Sequence, residues 1–299
     1  MRLTKPLLLA LILYPAIVFN QNSQIKGCIF DGSSKEKIPY AHIYLKRNGA
    51  GTISKKNGEF KLIIPQQKIV DTVVFSALGY NTKELPLGKT LNTDTLYLHK
   101  KTYQLPPVTV IAQKQTIMMG SRNNRKINGF ADGITMGSNK PGGTIFALYI
   151  ENTDNINGII KSVRFYIEKR GHPDTKFRVR IFERNYNDSC PGKDLLHKNV
   201  IIHGDQGNEW VYADLEKYYI EIPKHGFFVA METLPDAKPY KTAIMGNTVY
   251  GNVLAGTKEF GKKNLTWITN IRTKYNKWFI LSPKKYNAKI SAEIIVFDD

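Results

Sequence analysis

The sequence predicts an all-β protein in which a small antiparallel sandwich is followed by a larger one. Three observations support this fold class. Apolar and polar residues alternate with a period of two in many short runs, turn-forming residues separate those runs, and no amphipathic segment of helical length competes with them. Hydrophobic residues make up 42% of the 299 residues, an ordinary share for a globular chain that excludes a disordered tail or a membrane bundle.

Residues 1–21 have the organisation of a secretory signal peptide. Arg2 and Lys5 precede a short apolar run at residues 7–19, and polar sequence follows at once. The run is too short for a bilayer core of about 30 Å, and Pro15 interrupts it. An uncleaved anchor is the alternative. We expect cleavage, no transmembrane span in the mature chain, and a location in the periplasm, on the outer-membrane surface or outside the cell.

The net charge is +18, from 43 Lys and Arg against 25 acidic residues. Such a charge suggests that the protein binds nucleic acid. An exported protein, however, meets other anions, including lipid headgroups, acidic polysaccharide and the cell envelope. A well-solvated, lysine-rich surface is the simpler explanation. We expect no nucleic-acid partner, and we consider acidic polysaccharide or other envelope components as partners.

Residues 23–111 form the first predicted domain, with seven short strands. Asn57-Gly58 predicts a tight type I′ hairpin between the strand at Thr52 and Ile53 and the strand from Phe60, since Asn and Gly tolerate positive φ. The apolar residues that mark the strands are Ile25 and Ile29, Ala41, Ile43 and Leu45, Ile53, Phe60, Leu62 and Ile64, Val73 and Phe75, Leu96 and Leu98, and Val108 and Val110.

A series of residues along this domain carries a family resemblance. The series is Ile25, Gly27, Ile29, Asp31, Ile38, Pro39, Tyr40, Ala41, Gly51, Thr52, Asn57, Gly58, Phe60, Asp71, Val73, Phe75, Gly79, Tyr80, Leu105, Val108 and Val110. In this order it resembles the carboxypeptidase-regulatory-like domain, a transthyretin-like sandwich of seven strands. The sequence departs from the family at Ser54-Lys55, where Thr-Asp is usual, and at Cys28, where Val is usual.

The resemblance implies location more than chemistry. In exported proteins of Bacteroidota this module commonly stands at the N-terminus of surface proteins, and in metallocarboxypeptidases it is an appendage beside the catalytic domain. It therefore implies an envelope location and a structural or interaction role, with no catalysis of its own.

Residues 112–143 are rich in Gly, Asn and Lys and predict a linker or extended segment. Residues 144–299 then predict a larger, jelly-roll-like sandwich. In one predicted strand Phe177, Val179 and Ile181 face the core, while Arg178 and Arg180 face away from it. The predicted strands span residues 144–151, 159–169, 176–183, 200–203, 209–215, 218–222, 227–232, 266–271, 277–281 and 289–297.

The second domain resembles domains of unknown role in exported Bacteroidota proteins. The residues that carry this resemblance are the runs at 177–182, 190–196 and 226–232, with Trp210, Asp214, Leu215, Tyr218 and Ile220. The resemblance implies no activity, so it bears on the fold rather than on the function.

Motifs for catalysis or metal binding are missing from the sequence. It has no H-E-x-x-H, no G-x-S-x-G, no P-loop and no dinucleotide-binding glycine pattern. His203 and Asp205 form a possible ligand pair, although a polar loop is the better interpretation. Asn185, Asn187 and Asp188 offer at most three oxygen ligands, too few for calcium. We expect no catalytic residue, metal or cofactor, and we expect Cys28 and Cys190 to be free thiols.

Aromatic residues are plentiful in the second domain. We expect Trp210 and Trp267 to lie in the core. Tyr275 and Trp278 adjoin Lys274 and Lys277, and together they predict a basic, aromatic surface that suits an acidic glycan.

Two functions of different class follow from these observations. The first is an exported, non-enzymatic envelope or cell-surface protein with a binding or structural role. The alternative is a secreted hydrolase of glycan or peptide, with a site assembled from loops of the C-terminal sandwich.

Overall fold

A computed structural model describes residues 23–64, 70–90, 94–102, 115–122, 127–132, 140–241, 248–261, 263–272, 277–281 and 286–297. Strands dominate these residues, and helix is confined to one short α-helix and one turn of 3-10 helix. The all-β fold class is therefore confirmed.

The first sandwich consists of two sheets, with strand orders β4-β1-β7 and β3-β2-β5-β6. β1 and β7 run parallel, and the other pairs are antiparallel. Its core contains Ile29, Ile43, Phe60, Phe75 and Leu98, each from a different strand. The elements are β1 Gln24–Asp31, β2 His42–Leu45, β3 Gly51–Ile53, β4 Glu59–Ile63, β5 Thr72–Ser76, β6 Lys83–Pro86, α1 Leu87–Thr90 and β7 Thr95–Leu98.

Two details of this domain differ from the prediction. The hairpin expected at Asn57-Gly58 is wrong, because β3 and β4 belong to different sheets. The N–H of Gly58 instead closes a turn onto the carbonyl of Lys55 at 2.9 Å, with Gly58 at φ +77°. The strand expected at Val108 and Val110 lies outside the described residues, and β6 was not predicted.

The second sandwich packs two larger sheets face to face. One has the order β13-β12-β16-β10-β19-β20, with β14 beside β12; the other has the order β17-β18-β11-β22-β8, with β15, β21 and β9 attached. Its strands are β8 Thr116–Gly120, β9 Ile127–Asp132, β10 Thr144–Ile150, β11 Gly158–Gly171, β12 Phe177–Arg184, β13 Pro191–Asp194, β14 Val200–Ile202, β15 Glu209–Asp214, β16 Phe227–Thr233, β17 Pro239–Lys241, β18 Thr248–Thr257, β19 Thr266–Asn270, β20 Phe279–Ile280, β21 Asn287–Ala288 and β22 Ile290–Val296.

The segment predicted as a linker contributes to this sandwich. β8 pairs with β22, and β9 pairs with β18. Met119 and Phe130 are buried in the main core, which explains why these short runs fold onto the second domain. The strand expected at residues 218–222 is instead a 3-10 turn at Glu216–Tyr218, followed by a single bridge from Glu221 to Ile159.

The two faces of β12 have different surroundings. Phe177, Val179 and Ile181 lie in the main core, as predicted. Arg178 and Arg180 were expected to face away from that core, and they do, but they are only 2% and 7% exposed. On this outer face the first sandwich contacts Arg178 through the carbonyl of Tyr40 and the ring of His42.

An apolar contact also joins the two sandwiches. Tyr40 and Ile53 of the first domain form one buried cluster with Leu234 and Ile271 of the second. The hydroxyl of Tyr40 donates to Asp236 at 2.9 Å. Nearby, Gly51 approaches the Ile271 carbonyl so closely that an added Cβ would lie 2.0 Å from its oxygen.

Candidate functional site

The junction between the two sandwiches is built around Arg178 and Glu232. These residues are register partners on the neighbouring strands β12 and β16. Arg178 Nε donates to Glu232 Oε2 at 2.9 Å, and Nη2 donates to Oε1 at 2.6 Å, a bidentate pair. Arg178 Nη1 donates to the carbonyl of Tyr40 at 2.9 Å, so the same side chain ties the second domain to the first.

Arg180 extends the pair into a network. Its Nη1 donates to Glu232 Oε2 at 2.7 Å. Its Nε and Nη2 donate to the two oxygens of Asp194 at 2.8 and 2.6 Å. Because β13 carries Asp194 beside β12, the short edge strand fixes the orientation of this guanidinium.

His42 brings the first domain into the network. It lies on β2, and its Nε2 is 2.5 Å from Glu232 Oε1 and 2.9 Å from Arg178 Nη2. With the proton on Nε2 the ring donates to Glu232, and with the proton on Nδ1 it accepts from Arg178. A residue of β2 thus contacts both members of the central ion pair.

The electrostatics keep the network in one charge state. Burial disfavours an ionised Glu232, but the adjacent Arg178 and Arg180 hold its pKa well below the ordinary value. Burial lowers the pKa of His42, and the two arginines lower it further, against the opposing effect of Glu232. Burial likewise disfavours the charge of Arg180, yet Asp194 and Glu232 raise its pKa. The two arginines are therefore balanced by two carboxylates, with His42 neutral.

A cavity of about 210 Å³ opens at this junction. Residues of both domains line it. Its basic, acidic and histidine residues are Arg178, Arg180, Lys101, Lys193, Asp194, His42 and His197, and its other lining includes Tyr40, Tyr80, Ala77 and Leu78. A second junction cavity of about 640 Å³ lies among Lys26, Lys61, Asp94, Asp236 and Arg272.

The surface predicted from the sequence is only partly described. Trp278 packs edge-to-face on Phe182 with ring centroids 5.6 Å apart, on the same outer face of the sheet that carries Arg178. Lys277 is exposed. Lys274 and Tyr275 lie outside the described residues, so this site stays a prediction.

The other two tryptophans lie outside the main core. Trp210 is half-buried on the outer face of β15, with the guanidinium of Arg164 4.3 Å from its ring centroid. Trp267 is half-buried against Phe228 on the outer face of β19. The expectation that both are core residues was therefore wrong, because each falls on the outward position of its strand.

Metal ligands do not converge in the part of the chain described. No group of three or more His, Cys, Asp or Glu there is placed to hold an ion. His203 Nδ1 is 4.0 Å from Asp205 on an exposed loop. Burial, together with a hydrogen bond that the thiol donates to Asp188 at 3.0 Å, raises the pKa of Cys190 to about 12. Cys28 and Cys190 are both free.

Sequence reasoning missed the junction network. Its weak signals were charged residues beside core positions: Arg178 and Arg180 alternate with core residues, and Glu232 follows the apolar run of β16. A period of two identifies the opposite face of a strand, but it does not identify what covers that face.

Comparisons with known proteins bear on the first sandwich. Residues 25–110 match the family model of the CarboxypepD_reg-like domain, which confirms the resemblance inferred from the sequence. A search of curated proteins finds no match. Among the described residues, no helix combines the length and apolar content needed to cross a membrane.

Among solved structures, a similar chain comes from infectious bursal disease virus, Gt strain, with 9% identity and a TM-score of 0.23. The alignment covers 92% of this chain and 64% of the viral one. At that TM-score the likeness carries no argument about fold or function.

Proposed function

We propose that the protein is an exported, non-enzymatic component of the cell envelope or cell surface, with a binding or structural role. The signal-like N-terminus supports export. The CarboxypepD_reg-like domain at residues 25–110 supports an extracellular β-sandwich protein. The basic composition, +18 overall, suits anionic envelope material.

The observation that carries this proposal is the buried ionic network at the junction. Arg178 is 2% exposed and Glu232 is 0% exposed, and both contact His42 from the other domain. A buried ion pair requires good geometry and complete hydrogen bonding to offset its loss of hydration. Such a pair favours one relative position of the two sandwiches, and cavities between domains are common binding sites.

The hydrolase alternative gains no support from this cluster. Glu232 and Asp194 are the carboxylates of this network, and both are bound to Arg180. A general acid needs a raised pKa near the working pH, whereas the pKa of Glu232 is lowered. A binding role is the better fit to such fixed charges.

Cosedimentation with washed envelope fractions at physiological ionic strength tests the proposal. We expect the wild-type protein and a Glu84→Gln control to sediment with the envelope, and a Glu232→Gln variant, whose junction is disturbed, to bind less. Each preparation is also assayed on a panel of glycosidase and peptidase substrates. Turnover without envelope binding would overturn the proposal in favour of a hydrolase.

A further inference from the structure

We propose that the 210 Å³ junction cavity binds a carboxylate-bearing sugar unit of an acidic polysaccharide, with Arg180, Lys101 and Lys193 as the cationic contacts. This inference rests on the proposed binding function and specifies its ligand. It concerns a different place from the surface around Trp278 that the sequence predicts.

The lining of the cavity carries an excess of positive charge. Four cationic side chains and one carboxylate, that of Asp194, line it, so the lining has an excess of three positive charges. The cationic residues are Arg178, Arg180, Lys101 and Lys193. Glu232 behind the wall contacts both arginines, and counting it leaves +2. Burial lowers the pKa values of both lining histidines, His42 and His197, so neither adds charge at neutral pH.

Arg180 retains donors for a ligand. A guanidinium has five N–H groups, and the hydrogen bonds of Arg180 within the described residues use Nε once, Nη1 once and Nη2 once. One N–H on each Nη therefore remains, on a side chain that two carboxylates hold in place. Preorganised donors of this kind bind a carboxylate without the entropy loss of ordering a flexible side chain.

Lys101 and Lys193 are placed differently. Both are exposed and belong to different domains, Lys101 following β7 and Lys193 within β13. An ammonium on a flexible stem reaches an anion from the rim of a cavity as a mobile point charge. The cavity therefore combines a guanidinium held by two carboxylates in its wall with two exposed ammonium groups at its edge.

The size and remaining lining favour a single sugar ring. A volume of about 210 Å³ is below the roughly 300–1,000 Å³ of pockets for drug-sized ligands. Tyr40, Tyr80, Ala77 and Leu78 add aromatic and apolar surface, on which the C–H face of a sugar ring can pack. A bare inorganic anion would make no use of that surface.

Isothermal titration calorimetry on the full-length protein tests the inference, with a galacturonic acid trisaccharide as the probe. A neutral galactose trisaccharide and inorganic phosphate serve as comparison ligands. We expect the acidic trisaccharide to bind, and the neutral trisaccharide and phosphate to bind at least about tenfold more weakly. Added salt should weaken the binding of the acidic trisaccharide.

Two double variants with the same change in net charge localise the binding. Lys101→Ala with Lys193→Ala removes the two rim ammonium groups, and we expect binding to weaken about tenfold. Lys169→Ala with Lys224→Ala removes two exposed lysines that do not line the cavity, and we expect no change. Equal weakening in both variants would mean that overall charge drives binding, which would overturn the site.

The remaining outcomes separate this inference from the proposed function. Phosphate binding as tight as that of the acidic trisaccharide would overturn the sugar ligand. Envelope cosedimentation without binding of the acidic trisaccharide would overturn the inference and leave the proposed function intact. If the protein neither cosediments with the envelope nor binds the acidic trisaccharide, both the inference and the proposed function are overturned.

Discussion

Glu232 is the residue on which the junction most depends, because its carboxylate compensates two buried guanidinium groups and contacts His42. Glu232→Gln keeps the shape of the side chain but removes its negative charge, so the positive charges of Arg178 and Arg180 are only partly compensated. Breaking a buried ion pair typically destabilises by 3–5 kcal/mol. We expect a fall of about 3 kcal/mol in the free energy of unfolding. This value is near the lower end of the range because the domains can separate, which lets water reach the arginines. Urea unfolding followed by tryptophan fluorescence measures it.

The matched control is Glu84→Gln. Glu84 pairs with Lys46 at 2.8 Å, but the two side chains are 45% and 57% exposed. Exposed pairs contribute about 0–1 kcal/mol, so the control should stay within about 1 kcal/mol of wild type. If both variants lose the same stability, the junction network has no special energetic role.

His42 makes the stability of the protein depend on pH. Burial lowers the pKa of its folded form below the ordinary value of 6.5, so below about pH 6.5 the unfolded chain binds a proton that the folded chain does not. Stability should therefore fall as the pH falls, by at most about 1.4 kcal/mol per pH unit for this one proton. Urea unfolding at about pH 7.5 and 5.5 measures the change.

His42→Gln separates this effect from the other titrating groups. Glutamine keeps a neutral donor near Glu232 but has no proton to gain. The variant should therefore lose less stability than wild type between the two pH values, while His197, whose pKa is also lowered, contributes equally to both proteins. A wild-type loss no larger than that of the variant would refute the assignment.

At the scale of elements, β3 of the first domain comes into close contact with the residue after β19 of the second. A Cβ on Gly51 would lie 2.0 Å from the Ile271 carbonyl oxygen, far inside van der Waals contact. Gly51→Ala should therefore force the sandwiches apart without straining its own backbone, since Gly51 is not in the positive-φ region. We expect faster cleavage by a protease at the junction in limited proteolysis.

Gly88→Ala is the control for this variant. Gly88 lies in α1, and nothing approaches within 4 Å of its added Cβ. Alanine is favoured over glycine in helices by about 1 kcal/mol, so this variant should be as resistant to proteolysis as wild type. Equal sensitivity in the two variants would mean that the Gly51 contact does not hold the domains together.

The strands that the sequence predicts well are those with a continuous apolar face. β10, β12 and β16 were all placed within a residue or two, because their core residues recur strictly at every second position. β18 was missed, since Gly251, Ala255 and Gly256 interrupt its apolar pattern with small residues. The site was missed for another reason: Arg178 is a polar residue on the outward face of its strand, and the sequence pattern does not show that the other domain contacts that face.

At the scale of the whole molecule, the positive charge has two parts. The sequence predicts a positive charge that is spread over the whole surface of the protein. Arg178 and Arg180 do not belong to that surface, since they are buried at the junction and balanced by Glu232 and Asp194. Exposed lysines such as Lys101 and Lys193 add positive charge at the edge of the cavity.

The junction should also make the two sandwiches unfold together. All 3 tryptophans, Trp210, Trp267 and Trp278, lie in the second sandwich, so their fluorescence follows that domain, while far-ultraviolet circular dichroism follows the strands of both. Coincident thermal transitions by different probes indicate a single cooperative unit. We expect the two signals to coincide in the wild-type protein and to separate in Glu232→Gln, with the small first sandwich unfolding apart from the second. Separate transitions already in the wild-type protein would show that the network does not couple the domains.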